Sequence, residues 1–118
     1  LGLTFKRSQR ISDEIVKEVS GMIVRSEIRD PRISSVFITG VKITENLSMA
    51  EIFFTVLGGE GEKSDALEGL EHAKGFIRSK LAKRLRMRKI PDIKFSYDSA
   101  LEKGYKVDEI LRGIAGDQ

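Results

Sequence analysis

The sequence predicts a single two-layer α+β domain, and three observations carry that prediction. Apolar residues recur at helical spacing near the N-terminus and again between about 65 and 89. Three short runs rich in β-branched and aromatic residues, 35–43, 49–57 and 93–97, read as strands. With 118 residues, 40% of them hydrophobic and 33% charged, the chain is the size of one ordinary globular unit that buries roughly two-thirds of its unfolded surface. Three strands with helices packed on one face satisfy all three observations.

The first helix is expected from about Ser8 to Ile28. Ile11, Ile15, Val19, Met22 and Ile23 form its apolar face, with Ser8 or Ser12 as N-cap. Gly21 weakens it slightly, and Asp30-Pro31 ends it, because a residue before proline avoids helical angles. In SVFITGVKI (35–43), Val36 and Ile38 keep one alternation phase and Val41 and Ile43 the other, which places a bulge near Gly40. Residues 45–48, ENLS, fit a hairpin loop into MAEIFFTVL. GGEGE (58–62) reads as a mobile acidic turn. Asp65 with Glu68 then makes a capping box for a helix over ALEGLEHA. That helix is expected to meet Gly75, where a second begins at Phe76 and runs until Pro91 stops it. The run 93–97, IKFSY, supplies the third strand, and VDEILRGI near the end a last helical turn or two. The expected order is α-β-β-α-α-β.

Charge is distributed unevenly along this chain. Residues 74–94 hold nine Lys/Arg and one Asp, 9 − 1 = +8, whereas the whole chain carries +3 and the remainder therefore 3 − 8 = −5. Concentrated charge of one sign makes a local field that attracts a partner of the other sign. The absence of cysteine excludes disulfides and thiolate chemistry and suits a reducing compartment, so the expected location is the cytoplasm. No apolar run approaches the roughly 20 residues of a membrane span.

An enzymatic reading finds little support in the residues. His72 is the only histidine, with no cysteine to activate and no second imidazole to complete a metal site, so it reads as a surface or packing residue. The carboxylates are scattered. GGEGE lacks the G-K-[ST] of a phosphate loop, and Glu60, Glu62 and Asp65 would repel an anion there. No catalytic residue, metal site, cofactor or small-molecule substrate is expected.

The basic segment is the candidate site. Ile77, Leu81 and Leu85 share one helix face, while Lys80, Lys83 and Arg86 point largely away and Arg78, Arg84 and Arg88 flank the stripe. A merely solvated helix face mixes signs, since opposite charges at i,i+4 stabilise a helix and like charges repel. Seven cations without an acid between 76 and 89 point instead to phosphates supplied by a partner. A lipid surface would require bulky apolar residues left exposed beside the cations. Nucleic acid is the better match, bound through backbone and shape with steep salt dependence. The expected contact residues are Arg7, Arg10, Arg29, Lys74, Gly75, Arg78, Lys80, Lys83, Arg84, Arg86, Arg88 and Lys89, with Lys6 near the first two.

RSQRISDEIVKEVSGMIV, RDPRIS, the hairpin ending in IFFTVL, and AKGFIRSKLAKRLRMRKIPDIKFSYDSALEKG together resemble the bacterial ribosome-binding factor A family, from about Phe5 to Ile114. The resemblance implies one type II KH-like domain over residues 1–118, with loosely held ends at about 1–6 and 114–118. It implies a helix-kink-helix motif at Ala73-Lys74-Gly75 in place of the GXXG loop by which ordinary KH domains clamp nucleic acid. It also implies a non-enzymatic, monomeric assembly factor. Such a factor binds the 30S subunit or its precursor and the 16S rRNA, and promotes late maturation including rRNA processing, particularly in the cold. A general RNA or DNA chaperone without ribosome specificity is the alternative reading of the same cations.

Overall fold

Hairpin and crossover together build the sheet. The computed structural model describes residues 2–99. Strand β1 (Val36–Ile43) pairs antiparallel with β2 (Met49–Val56), and β2 pairs parallel with β3 (Asp92–Tyr97), giving the order β1-β2-β3. The register passes from Ile38↔Phe54 to Gly40↔Phe53, so Thr39 is the extra residue of the expected bulge. That slip turns Val36 and Ile38 before it, and Val41 and Ile43 after it, toward the same core. The hairpin turn is held by side chains: Asn46 Oδ1 accepts from the Ser48 N–H at 3.1 Å, and Thr44 Oγ1 accepts from the Met49 N–H at 3.1 Å.

A parallel pair needs a long crossover, and helix α2 (Glu60–Leu85) provides it. Helix α1 (Gly2–Val24) lies mainly against β1, and α2 against β3, β2 and a 3₁₀ turn, η1 (Pro31–Ile33). Both helices cover one face of the sheet. Ile11, Ile15, Val19 and Met22 of α1 and Ala66, Leu70, Ala73, Ile77 and Leu81 of α2 are buried over Ala50, Ile52, Phe54, Ile93 and Phe95. Their three- and four-residue spacing is what lets one stripe of each helix enter a single core. Phe54 meets Tyr97 edge to face at 5.8 Å. Burial of each large side chain here, such as Ile15, Phe54 or Leu81, stabilises the fold by about 1.5–3 kcal/mol.

Several expected boundaries are corrected. Helix α1 begins at Gly2, ahead of Ser8, and Ser12 is a buried helical residue rather than a cap. It ends at Val24, before Ile28 and before Pro31, because Ser26 takes left-handed angles (φ 57°). The Ser26 N–H then bonds the Ile23 carbonyl and the Glu27 N–H the Met22 carbonyl, satisfying carbonyls at the helix end. GGEGE is not a loose turn. Gly58 (φ 133°) turns the chain out of β2, and α2 starts at Glu60, five residues before Asp65. Glu62, rather than Glu68, reaches back, accepting from the Gly59 N–H at 2.8 Å; with Glu60 it puts negative charge at the positive end of the helix dipole.

The expected pair of helices is one continuous helix through Ala73-Lys74-Gly75, so the order is α-β-β-α-β. An interior glycine costs a helix roughly 1 kcal/mol relative to alanine. Leu70 and Ala73 before it and Ile77 and Leu81 after it are buried in the same core and outweigh that cost. Helix α2 also stops sooner than expected, at Leu85, where Arg86 adopts left-handed angles (φ 53°) five residues ahead of Pro91. The turns expected over VDEILRGI lie outside the described residues.

Candidate nucleic-acid interface

The end of α2 explains why its cations are exposed. After Arg86 reverses the chain, Met87 packs partly against the core and Ile90 is buried, which leaves Arg86, Arg88 and Lys89 exposed between and beside those anchors. Arg78 fixes the segment from behind. Its guanidinium donates to the Pro91 carbonyl and to the Ile90 carbonyl, each at 3.1 Å, and lies 3.5 Å from Asp92. Arg78 is thus a positioning residue for Arg88 and Lys89.

Arg7 and Arg10, on the exposed side of α1, face the same place. A cleft of about 470 Å³ is lined by Arg7, Arg10, Arg86, Arg88 and Lys89, with the hairpin turn Asn46–Ser48 along its wall and Glu14 as its one acid. None of those five cations forms an ion pair with a described residue. A second cleft, about 330 Å³, is lined by Gly75, Arg78, Ser79 and Ala82 of α2 and shares Met87 and Arg88 with the first. The two clefts are neighbours, Met87 and Arg88 lining both, one beside α1 and the other on α2. Lys83 is exposed and Lys80 half-buried farther round the same helix, neither lining the clefts, and the Lys80 ammonium sits 5.4 Å from the Phe76 ring centroid.

Of the other predicted contact residues, two are paired within the chain and one lies elsewhere. Arg84 bridges to α1 and the turn after it: its guanidinium is 3.5 Å from Glu18 on the helix and 2.7 Å from Glu27 beyond its end. Hydrogen bonds from Arg25 and Arg84 hold the Glu27 carboxyl below its ordinary pKa, and those with Glu27 raise that of Arg84. Lys74 pairs with Glu71 at 2.8 Å. Arg29 lines a separate cleft with Ile23, Ser26 and Ile28 and shares no residue with the basic groove. His72 is exposed on α2, and among the described residues no group of three His, Asp or Glu side chains could hold a metal.

Sequence reasoning missed two features. The hairpin turn Asn46-Leu47-Ser48 enters the groove wall only because β1 and β2 end beside Arg86. A second arginine, Arg32 of RDPRIS, is spent on contacts within the chain. Arg32 is 2.7 Å from both Asp30 and Glu68, locking η1 onto α2, and its hydrogen bonds bring the Asp30 pKa down to about 2. Asp30 is two residues from Arg32, but Glu68, at a sequence distance of 36 residues, gives no local signal of its pairing. Among the described residues no helix is long and apolar enough to cross a membrane.

Fold and groove define a small α+β domain, helices on one sheet face, with five unpaired cations lining one cleft. The model of the family described as ribosome-binding factor A matches residues 7–111. The chain is 41% identical over 114 residues to ribosome-binding factor A of Geotalea uraniireducens, covering 97% of this chain and 93% of that protein. It is 39% identical over 108 residues to the Staphylococcus carnosus protein of that name, covering 92% and 93%. The chain belongs to the ribosome-binding factor A family. Its fold is similar to the crystal structure of ribosome-binding factor A from Thermus thermophilus, with TM-score 0.67, 21% identity and coverage of 76% of this chain and 94% of that one. A homology model of the Thermus thermophilus factor, fitted into a cryo-EM map of a 30S complex, is similar with TM-score 0.63 and 22% identity, covering 78% and 96%.

Proposed function

We propose that this protein is a non-enzymatic assembly factor that binds the 30S ribosomal subunit or its precursor. In this reading the groove formed by Arg7, Arg10, Arg86, Arg88 and Lys89 takes backbone phosphates of the 16S rRNA. The protein acts as a monomer in the cytoplasm and promotes late maturation of the subunit, including rRNA processing, with the greatest need in the cold. One observation carries the site: five cations from two distant segments converge on a single cleft without pairing to a described residue. Desolvating and crowding like charges is unfavourable unless an anion offsets the repulsion. Family membership supports the choice of partner.

Neutralising about five phosphates gives a slope of log K against log salt on the order of −3.5 to −4.5. The test is co-sedimentation with purified small subunits and their precursors. The triple variant Arg10→Glu, Arg86→Glu, Arg88→Glu is expected to lose binding by at least about 100-fold at roughly 0.15 M salt while folding normally. Unchanged sedimentation would sink the assignment of the groove. Binding that excess unrelated RNA abolishes would favour a general RNA chaperone instead.

A further inference from the structure

The outer face of α2 carries a side chain that phosphate binding leaves unused. Phe76 is 40% exposed, whereas Phe54 and Phe95 are 0% and 4% exposed in the core; Phe37 on β1, 53% exposed, lines neither cationic cleft. Burying such a ring is one of the largest single gains available to a small fold, about 1.5–3 kcal/mol. The next residue, Ile77, is buried, so Phe76 stands about 100° around the helix from the core stripe. Its neighbours one turn away are His72, Ser79, Lys80 and Ala73, the last buried in the core, and Lys83 lies two turns on. An apolar protein-docking patch would surround the ring with further apolar side chains. Here the ring is set among cations, one of them within cation–π range at 5.4 Å.

Beside it the helix surface is kept low. Gly75, Ser79 and Ala82 form the floor of the smaller cleft, with Arg78 and Arg88 at its edge. Gly75 has no positive φ, and a Cβ added there would meet nothing within 4 Å. Within this chain, neither backbone angle nor packing therefore asks for glycine, although glycine weakens the helix. A missing side chain that the fold does not need, on a face walled by cations, leaves room for something to come close from outside. Met87 and Arg88 line this cleft and the main groove alike, so the two lie next to each other.

We propose that Phe76 stacks on one unpaired base of the bound RNA, whose backbone passes over the cleared strip at Gly75, Ser79 and Ala82 and is held by Lys80, Lys83 and Arg88. Stacking on an aromatic ring needs a free base face, which a duplex does not offer, so this site selects a single-stranded or turned-out nucleotide. The inference rests on the RNA-binding reading above and narrows it. The phosphate groove supplies strength, and the ring supplies a preference for unpaired RNA.

The test compares a single-stranded RNA 12-mer with a duplex of equal length by fluorescence anisotropy across a salt series. Wild-type protein is expected to prefer the single strand. Phe76→Ala and Phe76→Leu should weaken single-strand binding by about 5- to 100-fold, equally at every salt concentration, and erase the preference. Phe76→Tyr and Phe76→Trp, which keep a π face, should retain it. Lys80→Ala and Lys83→Ala should instead flatten the salt slope by about 0.7 each. The proposal is overturned if Phe76→Leu binds like wild type, if loss at Phe76 comes with a changed slope, or if wild type shows no preference. Thermal unfolding of Phe76→Leu within a few degrees of wild type shows that the fold is kept. Should wild type fail to sediment with small subunits, the ribosomal reading falls, while the oligonucleotide comparison still decides Phe76.

Discussion

Two glycines six residues apart on α2 divide the helix into an inward-facing and an outward-facing half. Gly69 is buried under η1, where an added Cβ would lie 2.9 Å from Ile33 Cγ2 and 3.2 Å from Arg32 Cβ. Gly75 opens to solvent and would accept a methyl group without contact. The same residue type thus serves close packing of the chain on itself at one place and clearance for a partner at the other. The arginines divide likewise. Arg32 and Arg84 are held by carboxylates of other elements, whereas Arg86 and Arg88 face open space. A cation count along the helix cannot separate these classes; only the partners across the fold do.

The sharpest way to break this comparison is to put the same methyl group at both glycines. Gly69→Ala is expected to destabilise the protein by about 1–2 kcal/mol, since the steric cost of overpacking exceeds the gain in helix propensity. Gly75→Ala is expected to stabilise it by up to about 1 kcal/mol while weakening RNA binding. Urea unfolding of the two variants reads both signs, and a Gly75→Ala that destabilises would show that the fold itself needs this glycine.

A smaller effect separates the arginines. Arg88→Ala should reduce the salt slope of RNA binding by about 0.7 to 0.9 with little change in unfolding temperature. Arg84→Ala should do the reverse, lowering the unfolding temperature by less than Gly69→Ala does and leaving the slope alone. Calorimetry and a binding titration at three salt concentrations distinguish them, and a flattened slope in Arg84→Ala would move this residue into the interface.

The smallest effect is pH dependence at the η1 contact. Asp30 is held at about 2 in the folded protein, against an ordinary 3.8, by hydrogen bonds from Arg32. A depressed carboxylate pKa stabilises the fold above the unfolded value, and that contribution is lost as pH falls from about 4 through 2. Urea midpoints at about pH 5 and about pH 2.5 should therefore differ less in Asp30→Asn than in wild type. Equal differences would mean that the Arg32 hydrogen bonds to Asp30 do not stabilise the fold.

Periodicity and β-branched runs make the strands, the bulge and the two core stripes legible in advance, because alternation and helical spacing follow from local backbone geometry. Helix ends are less legible. Ser26 and Arg86 stop their helices in left-handed angles that non-glycine residues seldom adopt, which residue type does not announce. Gly75 reads as a break because local propensity favours one. Four buried residues around it, Leu70, Ala73, Ile77 and Leu81, override that preference.

The sequence by itself determined the α+β class, the sheet-facing stripes and the concentration of charge between 74 and 94, since each is a property of neighbouring residues. Tertiary structure alone decided which cations are available. It brought Arg7 and Arg10 to Arg86, Arg88 and Lys89, while Glu18 and Glu27 took up Arg84 and the backbone at Ile90 and Pro91 took up Arg78. The physical reason is range. Hydrophobic periodicity is written in the nearest turn, whereas a cation's partner is set by whichever carboxylate or carbonyl the folded chain carries within about 4 Å of it.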